Sequence, residues 1–178
     1  DIQQQLMAPL QRAFGTVTTI MTGNKMGEGL YDETYKITKG LLWLSSLTII
    51  LISALLFIFA PEFVNLFTDN KAALSFGVGF LRTLSIGAPI LTFYRIISGL
   101  LIGAGDTKTP FYGMLINQTI FKLGLSYLLS VPAELKILGV FIGLVFDYLG
   151  QALWVTRRFL SGKWISDARE MIAERRGE

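Results

Sequence analysis

The sequence predicts an all-α integral membrane helix bundle, and three observations predict it. Hydrophobic residues fill 52% of the 178 positions and charged residues only 16%, with a mean hydropathy of +0.52. A soluble domain carries about 25% charged residues, and a globule of this size has too little interior to hide so much apolar surface. The apolar residues also gather into runs of about 20, the length that crosses a bilayer as a helix. Most of the charges fall between those runs. Disorder is excluded, because it needs low hydrophobicity and high charge.

Five spans are expected, at about residues 5–22, 41–59, 76–103, 111–131 and 137–155. The first is diluted by Arg12, Thr16, Thr18, Thr19 and Thr22, so it should face protein or a water-filled cavity rather than lipid. The run from Gly23 to Gly29 breaks it, and Lys36 and Lys39 precede the second span, which has no charge and is stopped by Pro61. The third contains Arg82, Pro89 and Arg95 and should be stopped by Gly103-Ala104-Gly105, since Gly serves as a helix C-cap, in the tight turn that includes Asp106. Thr109 is then the expected N-cap and Pro110 the first helical residue of the fourth span. Its polar positions are Asn117, Gln118 and Lys122, and Pro132 closes it. The fifth carries Asp147 and Gln151. Residues 161–178 read as a polar amphipathic tail. Pro89 in mid-span is expected to bend its helix, either as a hinge or as a static kink. Trp43, Trp154 and Trp164 lie near one end of their spans, the position of an interfacial aromatic belt.

Lys and Arg set the orientation. Lys25, Lys36, Lys39 and Lys108, with six basic residues after Val155, fall on one side, and Lys71 and Lys136 on the other. The C-terminus is therefore expected in the cytoplasm of a cell (inner) membrane protein, with Asp1 outside. An odd number of spans starting outside suits a piece of a longer protein. The net charge of +3 is too small to imply nucleic acid.

Function classes fall away in turn. With no Cys and no His, thiolate metal sites, Cys nucleophiles and the Ser-His-Asp triad are excluded. No P-loop, GxSxG or HExxH occurs. Neither an enzyme activity nor a cofactor or metal site is expected. What remains are charges inside spans, which are costly and are functional candidates by default. Asp147 is the carboxylate nearest the middle of a span, roughly 15 Å from the outer end of its helix, and Lys122 lies roughly 13 Å from the outer end of the preceding one. The two are expected to meet at one depth, with Arg95 as the rival partner. Gly139, Gly143, Asp147 and Gln151 share an i, i+4 face, as do Gln118, Lys122 and Ser126, and Arg95, Gly99 and Gly103. Such small-residue faces turn inward and let helices approach. The polar core reads either as an ion or substrate site, with Asn117 and Tyr94 as further lining, or as a structural salt bridge that fixes helix register.

The stretch Gly103-Ala104-Gly105-Asp106-Thr107-Lys108-Thr109-Pro110 resembles the RGAGDTRTP loop of MATE (multidrug and toxic compound extrusion) transporters, with Ile102 in place of the usual Arg. The turn Thr22-Gly23-Asn24-Lys25-Met26-Gly27-Glu28-Gly29 resembles the family's VGQNLGAG turn, and Pro61-Glu62-Phe63-Val64-Asn65-Leu66-Phe67-Thr68 its short outer loop. The motif order resembles the C-terminal lobe from its second helix onward. The resemblance implies about five helices of a six-helix MATE-type lobe, whose partners are the lipid bilayer, an N-terminal lobe outside this chain and a small organic substrate. It implies a Na⁺- or H⁺-coupled antiporter exporting drugs or other organic compounds, with Asp147 as the ion-responsive acid on the residue-level reading alone. A lipid-linked oligosaccharide flippase of the same superfamily, or a truncated membrane protein with no transport of its own, are the alternatives.

Overall fold

The computed structural model describes residues 2–67, 70–132 and 136–176, without the side chains of residues 2–7, 72, 175 and 176. Asp1 and Thr68 of the outer-loop motif lie outside the described residues. Among the described residues the regular elements are all helical. They are α1 (Ile2–Gly27), α2 (Tyr31–Ile58), a short α3 (Ala60–Asn65), α4 (Lys71–Gly103), α5 (Lys108–Asn117), α6 (Ser126–Ser130), α7 (Ile137–Leu160) and α8 (Lys163–Arg176). A π-helical stretch, Gln118–Leu125, joins α5 to α6 as one rod.

Three of these, α2, the 73–103 part of α4, and α7, are long and apolar enough to cross a membrane. The first expected span is a helix of 26 residues, but its hydroxyls keep it outside that group. The fourth expected span is divided by the π stretch, whose i→i+5 turns are uncommon and cluster at functional sites. The second helix starts at Tyr31, well before the apolar run, because its buried Thr34 and Thr38 extend the packed face into the polar segment.

The packing is inverted relative to a protein in water. On α2, Trp43, Leu44, Leu47, Ile50, Leu51, Leu55 and Ile58 are exposed, while Thr38, Ser45 and Ser53 are buried. Thr38 donates to the Thr34 carbonyl at 2.9 Å, Thr92 to Ala88 at 2.8 Å and Thr18 to Phe14 at 2.8 Å. Hydroxyls satisfied on their own helix cost little inside, and the leucines outside match a lipid solvent in which apolar surface carries no penalty. The protein is an all-α membrane helix bundle.

Small residues set the two main crossings. A Cβ on Gly103 would stand 2.5 Å from the Thr19 carbonyl oxygen, and one on Gly99 would strike that of Gly15. Thus α1 lies in backbone contact with α4. On α7, a Cβ on Gly139 would meet Leu129 and Ser130, and one on Gly143 would meet Ser126. The stripe Gly139, Gly143, Asp147 and Gln151 is buried along its whole length.

The basic ends converge on one side, where α8 closes the bundle. Trp164 and Ala168 of α8 are buried with Met26, Leu101, Ala104 and Val155. Trp164 is 2% exposed and its indole N–H donates to the Phe159 carbonyl at 3.1 Å. It is therefore core rather than interfacial belt, whereas Trp43 and Trp154 are exposed. One of the two caps around this turn also differs from expectation. α4 ends in a Schellman turn in which Gly105, at φ 93°, donates to Ile102 at 3.0 Å and Asp106 donates to Leu101 at 2.8 Å. Within the expected Gly103-Ala104-Gly105 stop the left-handed residue is Gly105, while Gly103 serves the α1 crossing. At the start of α5 the cap is the Asp106 carboxylate, which accepts from the Thr109 N–H at 3.0 Å and the Thr109 hydroxyl at 2.9 Å. A carboxylate is a stronger cap than a threonine hydroxyl at the positive end of a helix. Pro110 sits two residues inside the helix.

Candidate functional site

The site is built from the α1–α4 crossing. With Gly15 and Gly99 in backbone contact, the longer side chains beside them project sideways, and a cavity of about 480 Å³ opens between α1, α4 and the start of α5. Arg12 and Arg95 supply its charge, Thr16, Thr19 and Ser98 its hydroxyls, and Tyr94, Phe111 and Met114 its apolar wall. Arg95 is half-buried and Arg12 exposed. The Arg95 Nε is buried without a hydrogen-bond partner. The two guanidinium groups are close enough to repel one another. Pro110 is buried at the cavity's edge.

Asp147 occupies a separate interface. It is 1% exposed and accepts from the Gln151 amide at 2.7 Å. Among the described residues, the ion pairs within 4 Å join Lys25 to Glu28 and Glu33, and Arg158 to Asp106 and Asp167. Neither expected partner of Asp147 is among them. Lys122 is exposed, and Arg95 points into the cavity of the α1 crossing. Equal depth along two helices does not fix azimuth. The π stretch adds to this, since positions four apart overshoot a full α turn but fall short of one i→i+5 turn. Ser126 is accordingly buried, Gln118 half-buried and Lys122 exposed. Asn117 is buried, donates to the Gly113 carbonyl at 2.7 Å, and packs against Gly150 of α7. Tyr94 is common to both places: it lines the cavity and feels the charge of Asp147. Pro89 lies inside an unbroken α4, and the neighbouring Ala88 carbonyl accepts from Gln11 of α1 at 3.2 Å.

The loop motif has its own chemistry. Asp106 accepts from Arg158 Nε at 2.7 Å, and Arg158 also reaches Asp167 of α8. Burial alone pushes the Asp106 carboxyl up, but the hydrogen bonds from Arg158 and Thr109 outweigh it and hold the group below the usual carboxylate range. Arg12, Ser98, Phe111 and Arg158 were not singled out as site residues from the sequence. Arg12, Thr16 and Thr19 do share i, i+4, i+7 spacing in a polar span, which is the signal that finds them.

A family model described as MatE matches residues 6–128. The chain belongs to the MatE family. Among curated proteins, this MatE chain is 28% identical over 157 residues to the uncharacterized transporter YisQ of Bacillus subtilis, covering 85% of this chain and 34% of that protein. It is 24% identical over 167 residues to the probable multidrug resistance protein NorM of Thermotoga maritima, covering 91% and 36%. The MatE chain thus spans about a third of the length of these relatives. Its fold matches the crystal structure of the eukaryotic MATE transporter AtDTX14 with a TM-score of 0.83 at 18% identity, over 96% of this chain and 39% of that one. At that identity the likeness speaks for the fold alone.

Proposed function

We propose that this chain forms part of one lobe of a cation-coupled antiporter that exports drugs or other organic compounds by alternating access. Its five long helical rods then cross the cell (inner) membrane with the α8 side in the cytoplasm, and a second lobe of the same protein completes the pathway. The observation that carries the coupling is Asp147, a carboxylate 1% exposed, with no cation within 4 Å among the described residues and one amide bond from Gln151. A buried carboxylate with no ion pair is costly in a span, even with the exposed Lys122 attracting it from further off. A proton or a sodium ion is the means of neutralising it, and arrival or departure of that ion biases helix packing. Tyr94 supports a link from Asp147 to the cavity, because it belongs to both. Small-residue crossings between α1 and α4, and between α7 and α5–α6, suit rocking of preformed units around a fixed site.

The test is Asp147→Asn in the full-length transporter. Gradient-driven efflux should be lost while the protein still inserts and binds substrate. Efflux at the wild-type rate would make the carboxylate structural.

A further inference from the structure

We infer that the cavity between α1, α4 and α5 binds a small amphipathic organic anion, its acid group held by Arg95 and Arg12 and its apolar body against Phe111 and Met114. The inference rests on the transporter reading only in taking the cavity as a ligand site, and it adds the ligand's chemical class.

Four observations lead there. Two guanidinium groups line one cavity, and they lie close enough to repel. None of the described lining residues is a carboxylate. The Arg95 Nε is buried with no acceptor. A buried donor left unmade is expensive, and one on a charged group more so. An oxyanion between the two arginines supplies the missing acceptor and relieves the repulsion, through charge-assisted bonds that arginine forms with particular directionality. The remaining wall is apolar or aromatic, so a bare inorganic anion leaves it unused. A carboxylate on a small ring fits within a cavity of about 480 Å³ with both parts matched.

Salicylate and its neutral amide, salicylamide, serve as probes on the full-length transporter in phosphatidylcholine nanodiscs, with binding read by calorimetry. Salicylate should bind more tightly than salicylamide. Arg95→Gln should weaken salicylate by about tenfold or more, and Arg12→Gln by less because Arg12 is exposed. Arg95→Lys should restore part of the loss. Equal binding of acid and amide overturns the inference, and means that a carboxylate from the rest of the transporter already occupies the arginines. Complete loss of salicylate binding when phosphatidylglycerol is added to the discs also overturns it, assigning the site to a lipid headgroup. Gradient-driven ethidium efflux separates this inference from the antiporter reading. Efflux without any preference for salicylate removes the inference alone, and salicylate binding without any gradient-driven flux removes the antiporter reading alone.

Discussion

Replacing Arg158 with Gln tests whether the Gly103–Pro110 loop is held by the C-terminal helix. Arg158 Nε stands 2.7 Å from Asp106, with the two side chains 23% and 11% exposed. A hydrogen bond between charged groups at that degree of burial contributes about 1.5–3 kcal/mol. The second arm reaches Asp167, which is 55% exposed, and such a pair adds about 0–1 kcal/mol. Arg158→Gln keeps most of the side-chain length, so the expected loss is about 2–3 kcal/mol, most of it from the Asp106 arm. Asp106→Asn retains a good helix cap and should cost less. The double variant isolates the pair, with an expected coupling of about 2 kcal/mol. Chemical unfolding of the full-length protein in detergent, followed by tryptophan fluorescence, measures all three. If the two single effects add to within about 0.5 kcal/mol, Arg158 and Asp106 do not hold one another and the latch is wrong. The same pair fixes a pH dependence. Asp106 is held below its ordinary value, so its contribution is fully present above about pH 4 and is lost as pH falls through the lowered native value. Asp106→Asn should flatten that acid limb.

Other variants probe the packing. Gly103→Val places a Cβ 2.5 Å from the Thr19 carbonyl oxygen, so α1 must retreat by nearly an ångström. A loss of about 1–3 kcal/mol is expected, read as a lower midpoint of thermal unfolding, and an unchanged midpoint would place the crossing elsewhere. Trp164→Ala empties a side chain that is 2% exposed and stacks on Phe159. It should cost about 3–5 kcal/mol and make the α8 segment sensitive to added protease. Trp43→Ala, at a residue 72% exposed, should leave the unfolding midpoint nearly unchanged in the same assay.

The apolar runs made α2, α4 and α7 legible, because span length and charge content are properties of composition alone. The glycine stripes were legible as well. A small residue every fourth position marks a close approach whatever the partner, and Gly99, Gly103, Gly139 and Gly143 all lie at one. The charges were legible only in part: Lys122 does act on Asp147, but no ion pair within 4 Å joins them among the described residues. Their depth follows from counting residues along a helix, but their partners depend on rotation about it. Rotation is set by Gly15 and Thr19 on α1 and by the π stretch at Gln118–Leu125, neither of which a 3.6-residue period encodes. The α5 cap was not legible for a related reason. Gly103, Gly105, Asp106 and Thr109 are all acceptable at a helix end by residue type. What assigns Asp106 to the cap is Arg158, a residue 52 positions away.

The two charged places are kept apart by α4, and this bears on how a coupling ion can act on a ligand. Arg95 faces the α1 crossing, where the backbones touch at Gly15 and Gly99, so it has little freedom to swing toward α7. Asp147 lies on the α7 face that packs on α5–α6, held by Gln151. A direct salt bridge that forms and breaks in the cycle would need α4 to turn about its axis, against tight packing on both sides. Gly87 of α4 is pressed on Tyr148 of α7, with a Cβ there only 2.7 Å from the ring, while Tyr94 lines the cavity and feels Asp147. If the proposed antiporter couples through this lobe, the packing predicts displacement of α4 as a unit between α1 and α7, since interiors packed this closely move by switching arrangement rather than by stretching. Tyr94→Phe, which keeps the packing and removes the hydroxyl, should leave the unfolding midpoint intact. It should also weaken the dependence of ligand affinity on the coupling ion, and an unchanged dependence would take Tyr94 out of that path.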